Sequence, residues 1–196
     1  MKMALYKHTL IALDPASVSY VRVVVEMRKL IYTIDPVVCV NVLTFFFRNG
    51  RGHELPETFS WVLSVLEHRD YAHGTLYYAT PDAFLFFFSR LLSATPPDAL
   101  PPSTRALFAQ RVRERLGAPG DAFELSARVL VAAEIGIISD ARKDCMRLLE
   151  MQDADGSWPA GWFYRYGSSG ILLGNQGLTT AMAAEAVRRC RTSGAC

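Results

Sequence analysis

Residues 36–47 read PVVCVNVLTFFF and residues 83–92 read AFLFFFSRLL. Neither stretch gives a helix a wide polar face, so each is expected as a helix surrounded by protein. FELSARVLVAAEIGI at 123–137 is of the same kind. The segments between them differ. ETFSWVLSVLEHR at 57–69 puts Phe59, Val62, Leu63 and Leu66 on one stripe, with Glu57, Ser60, Ser64 and Glu67 elsewhere. That is the pattern of a helix with one wet side. Phe108, Val112 and Leu116 line one side of 103–116, and Cys145, Leu148 and Leu149 one side of 141–151. Each amphipathic segment follows an all-apolar one. Apolar helices begin near 36, 81, 122 and 176, a spacing within the range of helical-hairpin repeats but without their repeated sequence. The expectation is an all-α chain, residues 1–196 forming one domain of inner and outer helices.

The punctuation agrees. Asp35 before Pro36 and Thr80 before Pro81 offer N-caps with proline at the first helical position. Gly50 and Gly52 follow one helix, Gly117 and Gly120 another. SATPPDALPP at 93–102 reads as a stiff surface connection rather than a linker between domains. VRVVVEM and the phenylalanine runs have β propensity. Against strands, the apolar runs are too long and alternate with helix-period stripes.

Composition bounds the function. A chain of 196 residues with 51% hydrophobic content can bury one sizeable core. Its 21 basic and 19 acidic residues leave a net charge of +2, so no single-sign field points to nucleic acid or an anionic membrane as partner. Lys2 and Lys7 interrupt any signal-peptide core. The longest apolar run, 36–47, contains Asn41 and falls short of the roughly 20 residues of a membrane span. Cys39, Cys145, Cys190 and Cys196 show no CxxC spacing. Three of them lie in or beside helical runs, which favours a reducing, cytoplasmic setting over a disulfide framework.

LLEMQDADGSW places Gln152, Gly156 and Trp158 in the spacing Q-x-x-x-G-x-W, ahead of the small-residue segment GNQGLTTAMAAEAV. This resembles the QW motif of squalene and other terpene cyclases, in which the glutamine bonds helix ends and the tryptophan stacks on it. DPVVCVNVLTFFFRNGRGHELPETFSWVLSVLEHRDYAHGTLYY and PDAFLFFFSRLL resemble the cyclase part of fungal drimane-type sesquiterpene synthases, which join a haloacid-dehalogenase-like domain to a terpene cyclase β domain. The resemblance runs from about residue 11 onward and implies an α/α toroid, a ring of inner helices within a ring of outer ones. Fewer helices are countable than such a toroid has. An open or incomplete barrel is therefore expected, with a partner chain or second copy completing it.

The resemblance also implies class II chemistry: protonation of the terminal alkene of farnesyl diphosphate by a D-x-D-T-T motif, with the diphosphate kept and magnesium accompanying it. The matching stretch is Ala12-Leu13-Asp14-Pro15-Ala16. Asp14 takes the position of the proton donor, while Ala12, Pro15 and Ala16 lack the side chains that would support an acid. Asp14 reads equally as the N-cap of a helix beginning at Pro15.

Aromatic rings that could face a carbocation are plentiful. Tyr77, Tyr78, Phe84, Trp162 and Tyr166 are the candidates for the substrate wall, with Asn41 as a polar point and Arg165, in the expected glycine- and serine-rich loop FYRYGSSG, as a diphosphate contact. No DDxxD cluster for metal-driven ionisation occurs, and His68 and His73 read as a helix-end pair rather than metal ligands. Nothing reads as a D-x-D-x-[TV] nucleophile, so diphosphate hydrolysis is not expected. The eroded acid motif leaves a second reading open: a degenerate toroid serving as a binding or scaffold domain, or a partial gene product.

Overall fold

Asp35 and Thr80 act as the prolines after them predict. In the computed structural model, which describes residues 34–166 and 169–194, Asp35 Oδ1 accepts the N–H groups of Val37 at 2.8 Å and Val38 at 3.1 Å. These donors open helix α1 (Pro36–Arg48). Thr80 Oγ1 accepts the Asp82 N–H at the start of α3 (Pro81–Ala94). Between them lies α2 (Pro56–His68), also begun by a proline and ended by Arg69 in the left-handed region. Then come α4 (Thr104–Arg113), α5 (Ala122–Glu134), whose Asp121 and Glu124 form a capping box, and α6 (Arg142–Glu150). A hairpin of β1 (Trp162–Tyr166) and β2 (Ile171–Gly174) leads into α7 (Gln176–Thr192), capped by Asn175.

The alternation of helix types sets the layers. α1, α3, α5 and α7 pack side by side in that order, while α2 lies against α1 and α4, α4 against α3 and α5, and α6 against α5 and α7. Thr80 at the start of α3 bonds Glu124 at the start of α5, at 2.6 Å, and Ser89 farther along α3 bonds Glu134 at the end of α5, at 2.9 Å. These two helices therefore run parallel, and their N-termini share one end of the layer. Among the described residues α1 and α7 make no close packing with each other, so the inner helices form an arc. The fold is mostly helical as expected, with the hairpin as the exception: FYRYGSSG was expected as a loop, yet Phe163 to Tyr166 lie on β1. β2 is open along its length, Ile171 being 56% exposed. Among the described residues no helix is long and apolar enough to cross a membrane.

The core lies between the layers. Phe84 stacks on Tyr71 at 4.4 Å and Phe88 on Phe108 at 5.3 Å, which fixes one face of α3 toward the outer helices. The expected stripe on α2 is shifted by the real packing: Thr58, Val62, Val65 and Leu66 are buried, while Phe59 and Leu63 are half-buried. Phe59 instead meets Phe47 edge-on at 5.2 Å. Arg111, on the outer helix α4, is buried and donates to the Leu66 and Glu67 carbonyls at the end of α2. It thereby satisfies carbonyls that a helix end leaves open.

A second set of buried charges joins the layers. Arg128 on α5 donates to Asp82 on α3 at 3.2 Å and to Asp144 on α6 at 3.2 Å, and also to the carbonyls of Ala118 and Pro119. Arg115 completes Asp82 with two bonds, and the Gly117 N–H completes Asp144. A Cβ at Gly120 would come within 2.3 Å of Arg128 Nη2, so the glycine leaves room for the guanidinium. Burial pushes the Asp144 carboxyl above its ordinary 3.8, against the opposing pull of the Gly117 N–H and the Arg128 charge.

Within the Gln152–Trp158 segment the contacts differ from those the resemblance implies. Gln152 is exposed and donates to its own turn, at the Gly156 carbonyl. Trp158 is buried, donates from its indole to the Leu148 carbonyl of α6 at 2.7 Å, and donates from its backbone to Thr180 of α7. Trp158→Ala is expected to lower stability by on the order of 3 kcal/mol. An unchanged midpoint of denaturant unfolding would exclude that anchoring role. Beside Trp158, Cys145 and Cys190 are joined as a disulfide in the same buried cluster. This corrects the reading of the cysteines for that pair, because the partners are 45 residues apart and meet only when α6 packs on α7.

Candidate active site

The shared N-terminal end of the inner layer gathers aromatic side chains. Gly74 (φ 80°) starts a turn in which the Thr75 N–H donates to the Tyr78 carbonyl at 2.7 Å. A side chain at Gly74 would strike the Ala79 and Tyr78 carbonyls at 2.6 and 2.7 Å, so this close approach requires glycine. The turn presents Tyr77 and Tyr78 beside β1. Tyr77 stacks on Tyr164 at 6.0 Å, and Tyr78 meets Tyr164 edge-on at 6.2 Å and Phe87 at 5.5 Å.

The hairpin is fastened to the same end. Arg165 N–H donates to the Tyr77 carbonyl at 2.7 Å, and Trp162 N–H donates to the Asp121 carboxylate at 2.8 Å. Phe163 packs against Phe123 on α5. At the base, a Cβ on Gly161 would meet Phe123 Cβ at 2.3 Å, and one on Gly174 would meet the Gly161 carbonyl at 2.3 Å. Gly161 thus lets the base of β1 approach α5, and Gly174 lets β2 close against that base.

Chemically, this is a wall of ring faces with little charge in it. Burial pushes the Tyr78 hydroxyl above its ordinary value, and the nearby Asp35 and Tyr164 add to the shift. Tyr78 therefore stays neutral at physiological pH, its ring available to a cation and its hydroxyl to a hydrogen bond. Both Asp35 oxygens accept hydrogen bonds: two backbone donors on Oδ1, and Thr75 Oγ1 at 2.6 Å and Tyr77 N–H at 2.9 Å on Oδ2.

Of the residues expected in the substrate wall, the fold brings together Tyr77, Tyr78 and the backbone of Arg165. Phe84 is fully buried against Tyr71 and belongs to the structural core, a correction that follows from the helix period: Phe84 and Phe88 share one face of α3, Phe87 another. Asn41 is exposed on α1 and is not a buried polar point. Trp162 and Tyr166 are 48% and 51% exposed on β1, and Trp162 is tied to this end by its backbone bond to Asp121. Asp14 lies outside the described residues. Tyr164 and Phe87 were not among the expected wall residues; Tyr164 was hidden in a segment whose glycine and serines read as loop.

Among the described residues no three His, Cys, Asp or Glu side chains converge as metal ligands.

The chain is 47% identical over 154 residues to the drimenol cyclase drtB of Aspergillus calidoustus, an alignment covering 79% of this chain and 29% of that protein. The chain is a relative of a drimane-type terpene cyclase. It spans less than a third of that curated relative's length. No family model matches the chain, and no solved structure does.

Proposed function

We propose that the chain is the cyclase portion of a class II-type sesquiterpene cyclase, closing farnesyl diphosphate to a drimane-type skeleton after protonation of its terminal alkene. The observation that carries this reading is the 47% identity to a drimenol cyclase along 79% of the chain. The ring wall of Tyr77, Tyr78, Tyr164 and Phe87 supports it, since such faces suit a carbocation and not a hydrolytic intermediate. In this reading Asp14 gives its proton to the less substituted carbon of the terminal double bond, leaving a tertiary cation at the dimethyl carbon; the internal double bonds close the rings onto it, and loss of a ring proton from the final tertiary cation ends the sequence. The diphosphate is retained throughout, magnesium enters only as its counter-ion, and Arg165 is its proposed contact. An arc encloses a polyprenyl chain only when a further wall is added, which a partner chain or second copy would supply.

The test is incubation of the purified chain with farnesyl diphosphate and magnesium, then phosphatase treatment and gas chromatography. A bicyclic sesquiterpene alcohol at multiple turnovers is expected. The absence of any product across prenyl chain lengths would remove the cyclase reading and leave a binding or scaffold domain.

A further inference from the structure

Asp35 does two jobs with one carboxylate. Oδ1 accepts Val37 N–H and Val38 N–H and so caps α1. Oδ2 reaches 40 residues along the chain to the Thr75 hydroxyl and on to the Tyr77 N–H. The Thr75 hydroxyl in turn accepts the Tyr78 N–H at 3.2 Å. The backbones of both wall tyrosines are therefore held, directly or through one hydroxyl, by a single oxygen that is 1% exposed at the residue level. From that turn the rings of Tyr77 and Tyr78 reach Tyr164, and Tyr78 reaches Phe87.

We propose that Asp35 is a positioning residue of the cyclase, setting through Thr75 and Tyr77 where the tyrosine rings stand and thereby which cyclisation product prevails. The inference rests on the cyclase reading. Its physical basis is that attraction between a cation and a ring weakens once the ring leaves the reacting carbon, and small misplacements near the chemistry have large kinetic effects. Asp35 acts through other residues and need not touch substrate.

Asp35→Asn separates the two jobs. Asparagine caps a helix about as well as aspartate, so its amide oxygen can keep the Val37 and Val38 donors. The amide nitrogen then points at the Tyr77 N–H, donor against donor, and only the Thr75 hydroxyl can turn to accept from it. Losing a charge-assisted bond is expected to speed exchange of the Tyr77 amide by about tenfold or more, while amides within α1 keep their protection. With farnesyl diphosphate, the same variant is expected to shift the product ratio, the main bicyclic product losing share to others.

Thr75→Val is the companion variant, because it removes the hydroxyl relay at nearly constant shape and leaves the cap of α1 untouched. It should shift the product ratio in the same way if Asp35→Asn proves too unstable to assay. Faster Tyr77 exchange with an unchanged product ratio would make Asp35 a purely structural cap and overturn the proposal. Unchanged Tyr77 exchange would overturn it at the level of the latch. A parent chain that makes no product overturns the cyclase reading itself, and this inference with it, whereas an active parent with product-neutral variants overturns this inference alone.

Discussion

Arg128→Ala is expected to lower the free energy of unfolding by about 3–5 kcal/mol, because it removes the cation that Asp82 shares with Arg115 and leaves the buried Asp144 carboxylate without an ion-pair partner. Arg128 and its partners Asp82 and Asp144 are buried. Arg115 remains for Asp82, but Asp144 keeps only the Gly117 N–H. The pH dependence carries the sign of the cause. Burial already holds the Asp144 carboxyl above 3.8, and removing a positive neighbour raises it further. A carboxyl whose folded value is raised is uncharged at little cost in acid, and it destabilises the fold as pH rises from the unfolded value through the folded one. The gap between parent and variant in denaturant unfolding should therefore widen with rising pH across that window. Taking the difference cancels the opposite trend of exposed carboxylates such as Glu185, which its arginine neighbours hold down at about 2. A gap that is constant with pH would show that Arg128 matters for packing rather than for charge.

Asp14→Asn is expected to leave the melting temperature near that of the parent and to reduce cyclisation by about a hundred- to ten-thousand-fold, the usual contribution of a general acid. Asparagine keeps the size and cap-forming ability of aspartate and removes the proton. Rate and melting temperature have to be read together, since a damaged helix start would also depress turnover. A variant that folds normally and cyclises at the parent rate would remove Asp14 from the mechanism.

The helices were legible because their signals are local. Asp35-Pro36 and Thr80-Pro81 announce helix starts from adjacent residues, and the contrast between the apolar 83–92 and the striped 57–69 sorts inner from outer within a few turns. What was not legible depends on partners far away in sequence. Arg128 looks like a single charge on an apolar helix until Asp82, 46 residues earlier, and Asp144, 16 residues later, are folded around it. Tyr164 becomes a wall residue only because β2 pairs with β1 and Gly161 lets the base of β1 approach α5. Tyr77 and Tyr78 do lie in one ring cluster with Tyr164, whereas Phe84 is in the core, since residue type says nothing about which side of α3 a ring occupies.

The bond between Cys145 and Cys190 also changes the connectivity of the molecule. It closes the end of α6, Trp158, the whole hairpin and most of α7 into one covalent ring. A cut anywhere in that ring, including along the open β2 strand, linearises the loop without making two molecules. The severed ends stay tethered while Trp158 keeps its indole bond to the Leu148 carbonyl and its backbone bond to the Thr180 hydroxyl. The hairpin is thus a handle fixed at both ends, and a nick in it relaxes the chain locally without releasing the last inner helix.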